Sequence, residues 1–256
     1  MRNQSPVVGI NSVRSALRFG AAGVIELWLD QRRRDHRLSE LAKLAREAGI
    51  AVKQMERDEI DRAAQGANHQ GALAWVQMPA ARSERDLDGL IQSIDGAPFL
   101  LILDGVTDPH NLGACLRSAD AAGAHAVIAP KDNAVGLTPV AVKVASGAAE
   151  STPFLQVTNL ARTLDQLKDR GIWLVGTADD AGATLYETDL CGPLALVLGN
   201  EGKGMRRLTR ERCDLLVRLP MLGRVESLNV SVTAGICLYE SLRQRAGALA
   251  GLHSTL

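Results

Sequence analysis

FLLILDGVTDPHNLGACLRSADAAGAHAVIAP, Phe99 to Pro130, joins an apolar run ending in Asp104, an Asp-Pro-His-Asn turn, a helix-period segment closed by Gly123, and a second apolar run. Short apolar runs bounded by turn residues read as strands buried on both faces, and strands separated by helices demand a parallel sheet. The pattern continues outward. FLQV, IWLVG, LALVLG and LLVRLP supply further strands, and helical segments fall near Leu112–Ala122, Pro139–Ala149, Leu160–Arg170, Met205–Arg212 and Asn229–Arg245. Thr138-Pro139 offers a cap with Pro at the first helical position, and Gly123 and Gly171 close two helices. Residues 98–256 therefore read as an α/β domain with a parallel sheet covered by helices.

Upstream, the elements are shorter. A helix near Val13–Phe19, the strand VIELWLD, a helix Ser39–Ala48 closed by Gly49 and the strand IAVKQM make residues 1–78 a small α/β unit. Residues 79–97, PAARSERDLDGLIQSIDGA, are rich in charge and small residues and read as a linker carrying one short amphipathic helix. A chain of 256 residues accommodates two such domains.

Composition narrows the function. Apolar residues are 46% and charged residues 23%, values of a folded globular protein, and only 3% are aromatic, too few for a base-stacking platform. The 29 basic and 29 acidic residues cancel, which argues against a general nucleic-acid binder. Their distribution leaves two basic patches, QRRRDHR at Gln31–Arg37 and the group Lys203, Arg206, Arg207, Arg210 and Arg212, which read either as solvated helix faces or as attractors of RNA phosphates. Cys115, Cys191, Cys213 and Cys237 are widely spaced with no C-x-x-C pair, as expected of reduced core thiols, with no metal site. The opening MRNQSPVVGI lacks the apolar core of a signal peptide and no run approaches a membrane span, so a cytoplasmic protein without membrane contact is expected.

In open α/β sheets ligands gather outside the carboxyl ends of the strands. Those ends are Asp104, Pro130, Gly176-Thr177, Gly199-Asn200-Glu201 and Pro220-Met221. The loop after LALVLG, NEGKGM, is glycine-rich but is not a P-loop: the glycine five residues before Gly202-Lys203 is replaced by Val197, and Gly204 stands where Ser or Thr is needed. No dinucleotide fingerprint, Ser-His-Asp order or H-E-x-x-H spacing is present. Candidate residues remain. Asn111 is placed to cap the helix after Asp-Pro-His, Arg117 lies in a helix of apolar and small residues where it either snorkels to solvent or acts on a substrate, and Glu201 is a carboxylate within a glycine loop. Ser227 and Asn229 stand at a helix start, where capping and anion binding are both open, and His110 reads as structural or substrate-contacting.

NLGACLRSADAAG, LVLGNEGKGM and SLNVSVTAGICLYE, in that order, resemble the three motifs of the SpoU family of RNA ribose 2′-O-methyltransferases, in the knotted SPOUT class. GINSVRSAL at Gly9–Leu17 and HQG at His69–Gly71 extend the likeness to the family's ribosomal-protein-like RNA-binding domain, so that it spans about Val7 to Arg245. The run LDGVTDPHNLGACLRSADAAG followed by KVASGAAE is most similar to members that act on a guanosine of bacterial 23S rRNA. The resemblance implies S-adenosylmethionine as methyl donor, 23S rRNA as substrate, a C-terminal trefoil knot and a homodimer whose active sites draw on both subunits. It also implies roles: Arg117 as the catalytic arginine, Asn111, Glu201, Ser227 and Asn229 as residues ordering the site and a substrate phosphate, and Gly199, Leu219, Leu228, Thr177 and Met221 as the cofactor cradle. The glycine loop would then wrap the cofactor by close backbone approach rather than hold a phosphate. Asn11, where relatives often carry His, and Arg224-Val225-Glu226, in place of small residues, depart from the pattern and bear on target choice. Competing expectations are a tRNA ribose 2′-O-methyltransferase and a non-catalytic RNA-binding assembly factor that has kept the fold.

Overall fold

The computed structural model describes residues 4–19 and 21–253, the side chains of 19, 22 and 248–253 excepted. Met1–Asn3, in the stretch expected to lack an apolar leader, and the last residues of the 98–256 domain lie outside the described residues. The chain divides into two compact units, Met1–Ala80 and Ala81–Leu256.

The first unit runs β1 (Gln4–Val8), α1 (Ile10–Phe19), β2 (Val24–Asp30), α2 (His36–Glu47), β3 (Ala51–Met55), α3 (Arg57–Ala64) and β4 (Ala72–Gln77). Its sheet has the order β1-β4-β2-β3, with β2 and β3 parallel and the other pairs antiparallel. Ile10, Val13 and Leu17 of α1 and Leu38, Leu41 and Ala45 of α2 share one core with Leu27 and Leu29, whereas Ile60 and Ala64 of α3 pack with Leu73 and Trp28 in a second. The HQG segment forms the turn that ties this unit together. Gln70 (φ 54°) and Gly71 (φ 84°) are both left-handed. Buried His69 accepts the Gly71 N–H at Nδ1 (3.1 Å), which leaves Nε2–H to donate to Asp61 of α3 (2.9 Å), and Gln70 Oε1 accepts the Ile10 N–H at the start of α1 (3.3 Å).

The second unit continues with β5 (Arg82–Ser83), α4 (Leu87–Gln92), β6 (Phe99–Asp104), α5 (Pro109–Ala121), β7 (Ala126–Pro130), α6 (Pro139–Ala145), α7 (Ala148–Ser151), β8 (Phe154–Val157), α8 (Leu160–Lys168), β9 (Trp173–Thr177), β10 (Ala183–Thr184), β11 (Leu194–Gly199), α9 (Arg207–Arg212), β12 (Leu215–Arg218) and α10 (Val230–His253). All eight strands are parallel, in the order β10-β12-β9-β11-β6-β7-β8-β5. Both faces are covered, as the continuous apolar strands require. Phe99, Leu101 and Leu103 of β6 join the core that contains α5, α6 and α10, and Leu100 and Ile102 join the opposite core with Leu164 and Leu167 of α8.

Several expectations are corrected. Residues 81–97 are integral to the second unit: Arg82 and Ser83 pair in parallel with β8, and Leu87 and Leu90 of α4 are buried in its core, so apolar burial decides against a free linker. The helix expected at Pro139–Ala149 is two helices, because Ser146 (φ 53°) and Gly147 (φ 100°) both turn left-handed between them. Helix α10 runs on beyond Arg245 to His253. In the first unit β1, α3 and β4 complete the sheet and its covering. The helix ends marked by glycine are as read, with Gly49, Gly123 and Gly171 all at positive φ.

Candidate active site

Loops leaving the carboxyl ends of β9, β11 and β12 enclose a cavity of about 390 Å3. Its lining includes Thr177, Gly199, Leu219, Met221 and Leu228, together with Glu201 and Ser227. All five residues expected to cradle the cofactor thus meet at one place. Asp179, Asp180, Arg218 and Thr233 also line it and were not singled out by sequence, as do Asn200 at its strand end and Lys203 and Arg210 of the basic patch; Arg210 joins Asp180 across the rim at 2.9 Å.

The shape of the glycine loop follows from its own backbone. Gly199, the last residue of β11, is followed by a hairpin-like return in which Asn200 and Gly204 exchange two backbone hydrogen bonds (2.8 and 3.1 Å). A Cβ on Gly199 would lie 2.1 Å from the Gly204 carbonyl carbon and the Met205 nitrogen. Glycine is therefore required there by the loop's closure on itself. Asn200 completes the turn by donating to Gly105 O (3.0 Å) and accepting from Gly202 N–H (3.0 Å).

Three segments distant in sequence meet beside this loop. Asn111 Nδ2 donates to Glu201 Oε1 (2.9 Å), Asn229 Nδ2 donates to Asn111 Oδ1 (3.0 Å), and the Val230 N–H donates to the same Glu201 oxygen (2.9 Å). Ser231 closes the chain by donating its N–H (2.9 Å) and Oγ–H (2.6 Å) to Asn229 Oδ1. The ends fix the direction of both amides: a backbone N–H only donates and a carboxylate only accepts, so flipping either Asn would set donor against donor. Asn229 is thus the cap of α10, and Glu201 places its negative charge at the positive end of that helix. Asn111 is not the cap of α5. Asp108 accepts the His110 N–H (2.9 Å) with Pro109 at the first helical position, which frees Asn111 for the network.

Arg117 and Ser227 are placed differently. Arg117 is exposed on α5, makes no hydrogen bond or ion pair among the described residues and does not line the cavity. Ser227 is exposed and lines the cavity without capping α10, and His110 is exposed and outside it. The expected basic patch is largely neutralised: Arg206 pairs with Asp104, Arg207 with Glu211, Arg210 with Asp180 and Arg212 with Asp165, leaving Lys203 as its one member without an acidic partner among the described residues. In Gln31–Arg37 the same holds, with Arg32 on Glu56 and Arg33 and Arg37 on Asp35, whose carboxyl the Arg37 hydrogen bonds hold well below the usual carboxylate range. Local sequence could not show the partners that lie tens of residues away.

Chemically, the cavity is mixed in character. Leu198, Leu219, Leu228 and Met221 supply apolar walls, Asp179, Asp180 and Glu201 carry negative charge against the positive charge of Lys203, Arg210 and Arg218, and the volume lies in the range of about 300 to 1,000 Å3 usual for cofactor sites. The described residues contain no cluster of three or more His, Cys, Asp or Glu able to hold an ion. All four cysteines are free; burial pushes the thiols of Cys115, Cys213 and Cys237 up to about 12.

Comparison with known proteins agrees with this geometry. Residues 98–239 match the SpoU rRNA Methylase family, and residues 6–81 match the family described as RNA 2′-O ribose methyltransferase substrate binding. The chain is 54% identical over 245 residues to the 23S rRNA (guanosine-2′-O-)-methyltransferase RlmB of Shewanella oneidensis, covering 96% of this chain and 99% of that protein. Among solved structures, the SpoU methyltransferase AviRb of Streptomyces viridochromogenes, in complex with the cofactor AdoMet, matches with a TM-score of 0.72 at 29% identity over 96% of this chain and 92% of the other. The TrmH/SpoU tRNA modifying enzyme of A. aeolicus matches at a TM-score of 0.54 and 29% identity, covering 64% of this chain and 85% of its own. A family match across more than half of the chain, and motif residues that converge on one cavity, place this protein in the SpoU rRNA methylase family.

Proposed function

We propose that this protein transfers a methyl group from S-adenosylmethionine to the ribose 2′-oxygen of a guanosine in 23S rRNA. The observation that carries the reading is the Asn111–Glu201–Asn229 network, which locks the three motif segments together beside a cavity lined by the second and third, in a chain 54% identical to a 23S rRNA guanosine methyltransferase. Gly199, Leu219, Leu228, Thr177 and Met221 would hold the cofactor, which when bound supplies an electrophilic methyl on a sulfonium. The lack of a counterpart for about a third of this chain in the tRNA-modifying relative favours rRNA over the tRNA reading.

In this reading Arg117 binds the reacting nucleotide and stabilises negative charge as it develops on the ribose oxygen. A guanidinium keeps its proton and does not serve as the base, so the hydroxyl proton passes to a neighbouring phosphate of the RNA. The reading includes a homodimer. Arg117 has no partner among the described residues and lies outside its own chain's cavity, while α10, which packs on α5, exposes Val232, Tyr239 and Leu242. These features fit a second copy whose Arg117 completes the site. A trefoil knot also belongs to it, supported by a chain order in which β11 holds the sheet centre and α10 returns across β11 onto α5. No helix among the described residues is long and apolar enough to cross a membrane, in keeping with action on ribosomal RNA in the cytoplasm.

The test is transfer of labelled methyl from S-adenosylmethionine to unmodified 23S rRNA, followed by mapping of the label. Label on the 2′-oxygen of one guanosine is the expected result. Transfer to tRNA alone would move the substrate, and absence of both transfer and cofactor binding would leave an RNA-binding protein.

A further inference from the structure

Asp104 is the last residue of β6, its side chain has no exposed surface, and it does not line the cavity. It nonetheless meets both ends of the glycine loop. In the β6–β11 ladder Asp104 stands opposite Gly199, where the loop leaves the sheet. Where the loop ends, Arg206 gives Asp104 three contacts: its N–H to Oδ2 at 2.8 Å, Nε to Oδ1 at 2.6 Å and Nη2 to Oδ1 at 2.6 Å. The adjacent Gly105 carbonyl takes the Asn200 side chain. Every loop residue from Gly199 to Met205 lines the cavity.

We propose that Asp104 is a positioning residue for the cofactor: by clamping Arg206 against the sheet it holds the 199–205 loop in its binding shape, acting through the loop. Charge-assisted hydrogen bonds to a buried carboxylate are the strong kind, and this one joins strand ends that adjacent backbone pairing leaves free. The proposal rests on the S-adenosylmethionine reading of the cavity. Arg206 is held by the clamp rather than offered to RNA.

Asp104→Asn keeps the shape but turns one acceptor into a donor facing Arg206. Losing these contacts is expected to raise the dissociation constant for S-adenosylmethionine, measured by calorimetry on RNA-free protein, by about tenfold or more. Amide exchange over residues 200–205 in the ligand-free protein should accelerate, while kcat at saturating cofactor stays within about threefold and KM for the cofactor rises. Arg206→Lys, which keeps the charge but loses the fork, should give the same changes and serves if Asp104→Asn does not fold. Folded variants with wild-type exchange over 200–205 and wild-type cofactor affinity would overturn the clamp. Wild-type protein that binds no S-adenosylmethionine would overturn the reading of the cavity, and the exchange measurement, made without cofactor, would still decide whether Asp104 holds the loop.

Discussion

Glu201 and Asn111 lie 90 residues apart in sequence and 2.9 Å apart in space, and Glu201 accepts from Asn111 with the same oxygen that takes the first N–H of α10. This bond makes the first and second motifs one unit. Asn111→Asp would set a second carboxylate against Glu201 and leave no donor for it. Methyl transfer should fall by about tenfold or more at neutral pH, with part of the loss regained on acidification as one carboxyl takes a proton. A rate ratio to wild type that does not change with pH would show that charge is not the cause.

A shared active site predicts complementation. Arg117→Ala and Glu201→Ala are each expected to be inactive alone. If Arg117 serves the partner's cavity, mixing the two under conditions of subunit exchange leaves one intact site in each heterodimer, and activity recovers to about a quarter of wild type. No recovery, with heterodimers demonstrated by mass, would place Arg117 in its own chain's site.

Gly199→Ala drives a methyl group into the backbone of Gly204 and Met205. Overpacking of this kind costs about 1 to 3 kcal/mol, and backbone cannot swing aside as a side chain can. The variant should melt several degrees lower and bind S-adenosylmethionine poorly. A wild-type melting temperature together with wild-type affinity would contradict the loop geometry.

The buried thiols set an alkaline limit. Desolvation raises Cys115, Cys213 and Cys237 from 9.0 to about 12, and at Cys115 the charge of Glu201 adds to it. Below pH 9 these thiols are neutral whether folded or not. Above it the unfolded chain loses protons that the folded chain keeps, so stability is lost progressively between pH 9 and about 12. Three such groups give a slope of about 4 kcal/mol per pH unit in that window, and Cys237→Ala should remove about a third of the slope. Denaturant melts at a series of pH values measure it.

RNA affinity should show the pairing of the basic cluster. Lys203→Ala is expected to lower the salt dependence of RNA binding by about 0.7 to 0.9 in slope if one phosphate contact is lost, whereas Arg207→Ala, already paired with Glu211, should leave it nearly unchanged. Equal slopes for the two variants would place RNA away from this cluster.

The sequence by itself determined the parallel sheet, because apolar strands and helical segments are written in local periodicity, and it placed Thr177, Gly199 and Met221 at strand ends, because strand ends are local too; the cofactor cradle as a set came from the resemblance to a family. Tertiary structure decided the rest. Which acid neutralises Arg206, Arg210 or Arg212 depends on strands and helices brought together from 30 to 102 residues away. The segment 81–97 reads as polar and small-residued, yet Leu87 and Leu90 find a core that only the assembled sheet provides. Asn111 looks like a helix cap until Asp108 takes that place, and its partner Glu201 arrives through strand order. Local pattern encodes which way each residue faces, whereas the order of strands in the sheet sets what it faces, and the chemistry of this site depends on the second.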